Sequence, residues 1–196
     1  MSKLIMPTSL ILRSLALIAT LLIGACATPP KPPINSESET WQLQGKIGLW
    51  YNNKQESATI DWSQCNTERG RIRLSGPLGS GGIELSADQA GATLIQNGET
   101  THADSIEELA SRAEWPLPVD ALRYWVRGRP TPTEKLDGRV NTNGQLEELA
   151  QIGWQITYQY RTPFHQLPNR ITANSANTKL TLIVSEWLDL PKLCSE

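Results

Sequence analysis

The residues able to do chemistry in this 196-residue chain are few: three cysteines and two histidines stand out. Cys26 is set apart from the others, because it closes an N-terminal segment that is first basic and then apolar. His102 and His165 have no partner at metal-ligand spacing, and the other two cysteines lie far apart, so no zinc site is expected. Gly79-Ser80-Gly81-Gly82 lacks the Lys-Ser/Thr that completes a phosphate cradle, and its flanks read as strands. A tight turn is expected there. His102 and Asp104 could orient each other beside a serine, but no nucleophile-elbow sequence exists. His102 is expected on the surface just before a helix cap. The sequence therefore predicts no enzyme, no metal and no cofactor.

Lys3 and Arg13 flank the N-terminal segment, and residues 14–23 (SLALIATLLI) form its apolar run. This is the layout of a secretory signal, too short to serve comfortably as a membrane-spanning helix. Its ending, Ile23-Gly24-Ala25-Cys26, resembles the lipobox of bacterial lipoproteins. The resemblance implies that residues 1–25 are a cleaved signal peptide and that the Cys26 thiol takes a diacylglycerol. The new amine would then be acylated. The alternative is an ordinary signal peptide with an incidental cysteine. Ala27, not Asp, follows Cys26. In enterobacteria-like sorting an Asp there retains lipoproteins at the inner membrane, so Ala27 resembles an outer-membrane address.

Residues 26–196 suffice for one domain with a real core. The whole chain carries a net charge of −2, and losing Lys3 and Arg13 makes the remainder more acidic. That balance gives no argument for nucleic acid or for anionic membrane surfaces. Residues 26–40 read as a lipid-anchored tether, since ATPPKPPINSESET after Cys26 is rich in proline and then in small polar residues. At about 3.1 Å per residue it could span roughly 40 Å. Residues 41–196 form the predicted domain. Cys65 and Cys194 are an even pair in an oxidising compartment, and a disulfide is open to them if the fold brings their backbones together.

From Trp41 onward the dominant period is two. Trp41, Leu43, Ile47 and Leu49 alternate with Gln42, Gln44 and Lys46. Ile60 and Trp62, Ile72 and Leu74, Ile83 and Leu85, and Leu180, Leu182 and Val184 continue the pattern, which is clearest in Trp154, Ile156, Tyr158 and Tyr160. Asn52-Asn53, Asn97-Gly98 and Gly153 punctuate the runs. At least seven short strands with one apolar face describe an antiparallel sheet that curls around something.

Two helices interrupt it. Ser105-Ile106-Glu107-Glu108 has capping-box spacing ahead of Leu109, Ala110 and Ala113. Residues 119–127 resume the helix with Val119, Leu122, Trp125 and Val126 inward, and Gly128 and Pro130 end it. Arg123 and Arg127, four apart, are expected on a solvated outer stripe. Residues 145–151 suit either a helix or a strand and are assigned to strand. The fold class is mainly β with inserted helices: an unclosed antiparallel half-barrel with a helical plug or lid.

Taken together these stretches resemble the LolB family of outer-membrane lipoprotein receptors over residues 41–187. The carriers of the resemblance are Leu74-Ser75-Gly76-Pro77-Leu78-Gly79 running into Ile83-Glu84-Leu85, and Leu117-Pro118 with Leu122-Arg123-Tyr124-Trp125 and Gly128-Arg129-Pro130. Gly153-Trp154-Gln155-Ile156-Thr157-Tyr158 and Lys179-Leu180-Thr181-Leu182 with Trp187 complete it. Cys65 and the extension through Pro191 and Cys194 depart from the pattern.

The resemblance implies a LolA/LolB-like half-barrel lined by apolar side chains. It would accept triacylated lipoproteins from the periplasmic carrier LolA and release them into the inner leaflet of the outer membrane. The protein would be a lipid-anchored monomer facing the periplasm, with no nucleic-acid partner. An acyl chain in water costs about 0.8 kcal/mol per methylene, so it needs a shield. Leu43, Ile47, Ile60, Trp62, Ile72, Trp154, Ile156 and Leu182 are expected to wall an acyl-chain cavity, with Leu109, Leu122 and Trp125 pressed on from the helices. Leu78, in a Gly- and Pro-rich turn, is expected to project and dip into the bilayer, matching the family's protruding loop. The alternatives are a structural or partner-binding envelope lipoprotein with a filled half-barrel, and a lipid or lipopolysaccharide shuttle.

Overall fold

A computed structural model describes residues 38–76, 81–112, 116–188 and 191–195. Strands β1 (Trp41–Tyr51), β2 (Lys54–Gln64), β3 (Gly70–Ser75), β4 (Gly82–Asp88), β5 (Gly91–Gln96) and β6 (Glu99–Ala103) form one meander. A second contains β7 (Gly138–Val140), β8 (Leu146–Gln151), β9 (Trp154–Gln159), β10 (Arg170–Asn174) and β11 (Thr178–Leu188). The first and last strands pair antiparallel, and this joins the meanders into one 11-stranded sheet in the order β6-β5-β4-β3-β2-β1-β11-β10-β9-β8-β7. The sheet does not close: β6 and β7 are its edges. Helices α1 (Ile106–Arg112) and α2 (Val119–Trp125) occupy the connection between those edges.

The period of two becomes a two-faced sheet. In β9, Trp154, Ile156 and Tyr158 are buried while Gln155, Thr157 and Gln159 are exposed. On the outer face the amides of Gln42 and Gln44 donate to the two carboxylate oxygens of Asp61, at 2.7 and 3.0 Å. Three two-residue turns hold both residues at positive φ: Asn52-Asn53, Asn97-Gly98 and Ile152-Gly153. That geometry matches the right-handed twist of the strands it joins. A bulge at Gln44/Gly45 bends β1 against β11.

Successive strands reverse direction, so the connections fall at two ends. The turns 52–53, 97–98, 152–153 and 175–177 share one end, the distal end. Residues 38–40, the 65–69 connection and the 3-10 helix Lys192–Ser195 share the opposite, proximal end. There a disulfide joins Cys65 to Cys194, with Cα atoms 5.3 Å apart.

The capping box of α1 forms, with one change from the expected geometry. Ser105 Oγ accepts from Glu108 N at 3.2 Å, but the Glu108 carboxylate reaches back to Asp104 N at 3.0 Å. Leu109 packs with Leu85, Ala92 and Leu94 in a small core under the β4–β5 wing. Leu122, Trp125 and Val126 of the α2 segment join the main core, with Trp41, Leu43, Trp62, Leu149 and Trp154 among others. Residues 145–151 are strand, as assigned: Leu146, Leu149 and Gln151 are buried against the cover.

Candidate functional site

At the distal end the inner face of the first meander and the helical connection leave an apolar pocket of about 230 Å³. Ile47 and Leu49 of β1, Ala58 of β2, Leu74 of β3, Ile83 of β4 and Leu117 from the helical connection line it. Its polar edge is Tyr51, whose hydroxyl lies 3.5 Å from Glu56 Oε1. Burial and the neighbouring Glu56 carboxylate raise the Tyr51 phenol above its usual pKa, so it stays protonated and able to donate. Gly76 and Gly81 also line the pocket and bracket residues 77–80. Leu78 lies outside the described residues, as does Cys26.

Of the expected cavity residues, only Ile47 reaches this pocket. Leu43, Ile60, Trp62, Leu122, Trp125, Trp154, Ile156 and Leu182 are buried together in the main core. Leu109 belongs to the small core, and half-buried Ile72 packs against both. In this structure these positions therefore pack into cores and do not line an open lumen. Tryptophans fill the concavity: Trp41 packs on Trp62 and Trp187 with ring centroids 5.2 and 5.8 Å apart, and Trp125 packs on Trp154 at 6.2 Å. Trp41, Trp62 and Trp187 close the proximal end, Trp125 and Trp154 fill the concavity against β9, and only the distal part of the first meander, lined by Ile, Leu and Ala, stays open.

The cover is fastened by polar groups that the sequence pattern does not single out. Gln151, buried at the end of β8, accepts from Trp125 Nε1 at 3.1 Å and from Thr131 N at 3.0 Å. Its own amide donates to Lys135 O at 3.3 Å. Gly128, at φ 70°, turns the chain out of the cover, and the site of a Cβ there would lie 2.7 Å from the Tyr160 hydroxyl. That hydroxyl donates to Leu146 O at 2.9 Å, and burial pushes its pKa up to about 12.

The solvated stripe expected for Arg123 and Arg127 is also corrected. Arg127 is 5% exposed, donates to Ser38 O at 2.5 Å, and lies over the Trp41 and Tyr124 rings at 5.7 and 5.9 Å. Arg123 donates to Thr67 O at 2.5 Å. The helix packs across the proximal end, so its second face meets the 65–69 connection and the entering chain instead of water. A guanidinium suits that place because its flat face stacks on aromatics while its edge reaches carbonyls.

A second pocket, of about 300 Å³, lies between this helical face and β2–β5, and Trp62 and Ile72 reach it. Its rim is charged. Burial first, then the adjacent Asp120, raises the Glu107 carboxyl above the ordinary range, and Glu107 Oε1 accepts from Asp120 N at 2.9 Å. Among the described residues no group of three or more His, Cys, Asp or Glu could hold a metal ion.

A family profile described as outer membrane lipoprotein LolB matches residues 39–187. The chain belongs to the LolB family. An outer-membrane lipoprotein LolB from Cellvibrio japonicus is 35% identical, over 88% of this chain and 94% of that one. One from Chromohalobacter salexigens is 33% identical, covering 88% of each. Among solved structures, a LolA superfamily protein from Nitrosomonas europaea is 10% identical with a TM-score of 0.49, over 81% of this chain and 90% of that one. The LolB match spans both wings of the sheet, the pocket residues and the cover, and it ends before Cys194.

Proposed function

We propose that this protein is an outer-membrane lipoprotein receptor that accepts mature lipoproteins from the carrier LolA, shields their acyl chains and inserts them into the bilayer. The reading includes lipid anchoring at Cys26 and a domain facing the periplasm. The observation that carries it is the apolar pocket at the open distal end of a LolB-family half-barrel. Pockets for drug-sized ligands run to about 300–1,000 Å³, so 230 Å³ holds only the leading part of one acyl chain. Acceptance therefore requires the cover to move. Leu117 walls the pocket just before α2, whose N-cap residue Pro118 makes no side-chain capping bond. A withdrawn cover would expose Leu122 and Trp125, and with them Leu43, Ile60, Trp62, Ile72, Trp154, Ile156 and Leu182 as further wall; Leu109 would move with α1. No nucleotide motif is present in the sequence, so transfer would run downhill from carrier to receptor to bilayer.

The filled main core favours a second reading, a structural lipoprotein that binds a partner at the envelope. Ala58→Phe separates the two. A phenyl ring displacing about two methylenes from the pocket is worth about 1.6 kcal/mol, roughly tenfold in affinity. Acceptance from the carrier, followed by pull-down of the lipoprotein, should fall by about that factor. Unchanged acceptance by the folded variant would favour the structural reading.

Leu78→Glu tests the other end of the cycle. Burying one leucine is worth about 1.5–3 kcal/mol, enough to orient a tethered domain at a bilayer. The variant should fold and accept normally and deliver lipoprotein to liposomes more slowly. Wild-type delivery, or failure at acceptance, would remove Leu78 from the insertion role.

A further inference from the structure

The turn between β8 and β9 carries a residue that its backbone disfavours. Turns with positive φ at both positions normally hold Asn, Asp or Gly, as Asn52-Asn53 and Asn97-Gly98 do here. This one places Ile152 at φ 53°. A β-branched side chain is strained there, because its branches crowd the backbone. Packing does not compensate, since Ile152 is 54% exposed. Leu136, 55% exposed, precedes β7 at the same distal end. An exposed apolar side chain held in a strained conformation suggests selection for something other than stability.

The neighbouring turns supply a different chemistry. Sheet order places the turns 152–153, 175–177 and 52–53 consecutively along the distal rim, each about 10 Å from the next, two strand spacings. The last two border an open groove of about 750 Å³ lined by Trp50, Asn52, Lys54, Asn174, Asn177 and Lys179 among others. No carboxylate lines it. Lys179 Nζ sits 5.2 Å from the Trp50 ring centroid, and the indole lies against Gly48, whose Cβ site is 2.9 Å away.

The geometry points to the distal rim as a bilayer-docking surface, with Ile152 entering the acyl boundary and Lys54 and Lys179 meeting anionic headgroup phosphates around Trp50. Trp and Lys are the side chains suited to that interface, and the local absence of acid makes the groove attractive to anions although the chain is net negative. A protein partner fits less well, because separate turn tips do not make the roughly 800 Å² patch that a stable interface needs on each side. The longest strands, of 11 residues, are about 36 Å long, and the proline-rich tether could reach roughly 40 Å, so a chain entering at the proximal end can still present this rim to the membrane. The inference rests on the delivery function proposed above and adds contacts separate from residues 77–80.

The test uses the mature lipidated protein in vesicles of phosphatidylethanolamine and phosphatidylglycerol. Ile152→Asn relieves the backbone, so its Tm should equal or exceed that of the wild type. Acceptance should be unchanged and delivery slowed at least about fivefold. Lys54→Glu with Lys179→Glu should slow delivery on these vesicles and not on vesicles lacking phosphatidylglycerol. A folded Ile152→Asn variant that delivers at the wild-type rate overturns the inference, and one that fails at acceptance assigns the rim to the carrier instead. A fluorophore on Ile152→Cys reads bilayer contact without any lipoprotein and should shift to the blue on vesicles. Undiminished quenching by aqueous iodide there overturns the docking surface even if transfer proceeds. A shifted fluorophore with no transfer by the wild type overturns the receptor reading alone.

Discussion

Gln151→Leu is expected to lower the unfolding free energy by about 3 kcal/mol, an effect as large as emptying a core position. The reason is asymmetry in hydrogen bonding. Gln151 Oε1 is the acceptor for Trp125 Nε1 and Thr131 N, and Thr131 Oγ1 lies 3.4 Å away. A leucine of similar volume leaves those donors buried without an acceptor, at about 1–3 kcal/mol each, partly offset by its own apolar burial. Trp125→Phe removes one donor and keeps the amide satisfied by Thr131, so it should cost less, about 1 kcal/mol from the hydrogen bond. Urea unfolding of the two variants checks the order. The cover should also loosen in Gln151→Leu, which would show as stronger binding of an apolar fluorescent probe at concentrations of urea well below the transition. Equal stability of Gln151→Leu and wild type would mean that the amide does not fasten the cover.

Removing the disulfide is expected to cost about 2–4 kcal/mol. Cys65 and Cys194 are 129 residues apart in sequence, so the bond closes a loop that includes most of the sheet. The chain-entropy model gives about 5 kcal/mol for a loop of this length, and measured values usually fall below it. For a domain of this size each kcal/mol moves Tm by about 2–4 °C, so Cys65→Ser with Cys194→Ser should melt roughly 5–15 °C lower. Reductant should lower the wild-type Tm by a similar amount and leave the double variant unchanged. A wild-type Tm insensitive to reductant would show that the bond adds nothing to stability. The site also receives Thr40 Oγ1, which donates to Cys65 O at 2.8 Å, so the bond holds the entry of the chain and its exit at one end of the sheet.

The faces of the strands were legible in the sequence because side-chain direction in a strand depends only on whether a position is odd or even. Trp154, Ile156 and Tyr158 had to share a face wherever β9 was placed. The turns were legible where Asn and Gly announce positive φ, and Ile152 escaped notice because its residue type argues against the conformation it adopts. The capping box and Gly128 bounded the helical cover by equally local rules. What alternation does not encode is which end of a face is filled. Ile47 and Leu43 lie on one face of one strand, yet Leu43 is sealed among tryptophans and Ile47 borders the pocket, because Trp41, Trp62 and Trp187 converge only after β1 pairs with both β2 and β11. Arg127 looked solvated for the same reason: its carbonyl partner at Ser38 lies 89 residues away in sequence. The Cys65–Cys194 bond and the Gln151 amide are likewise contacts between distant segments. Period, caps and turn chemistry act over a few residues, so apart from the Ile152 turn the features that depend on them could be read from the chain alone. The pocket's place, the fastening of the cover and the buried arginine depend on which distant surfaces meet, and only the tertiary structure decided those.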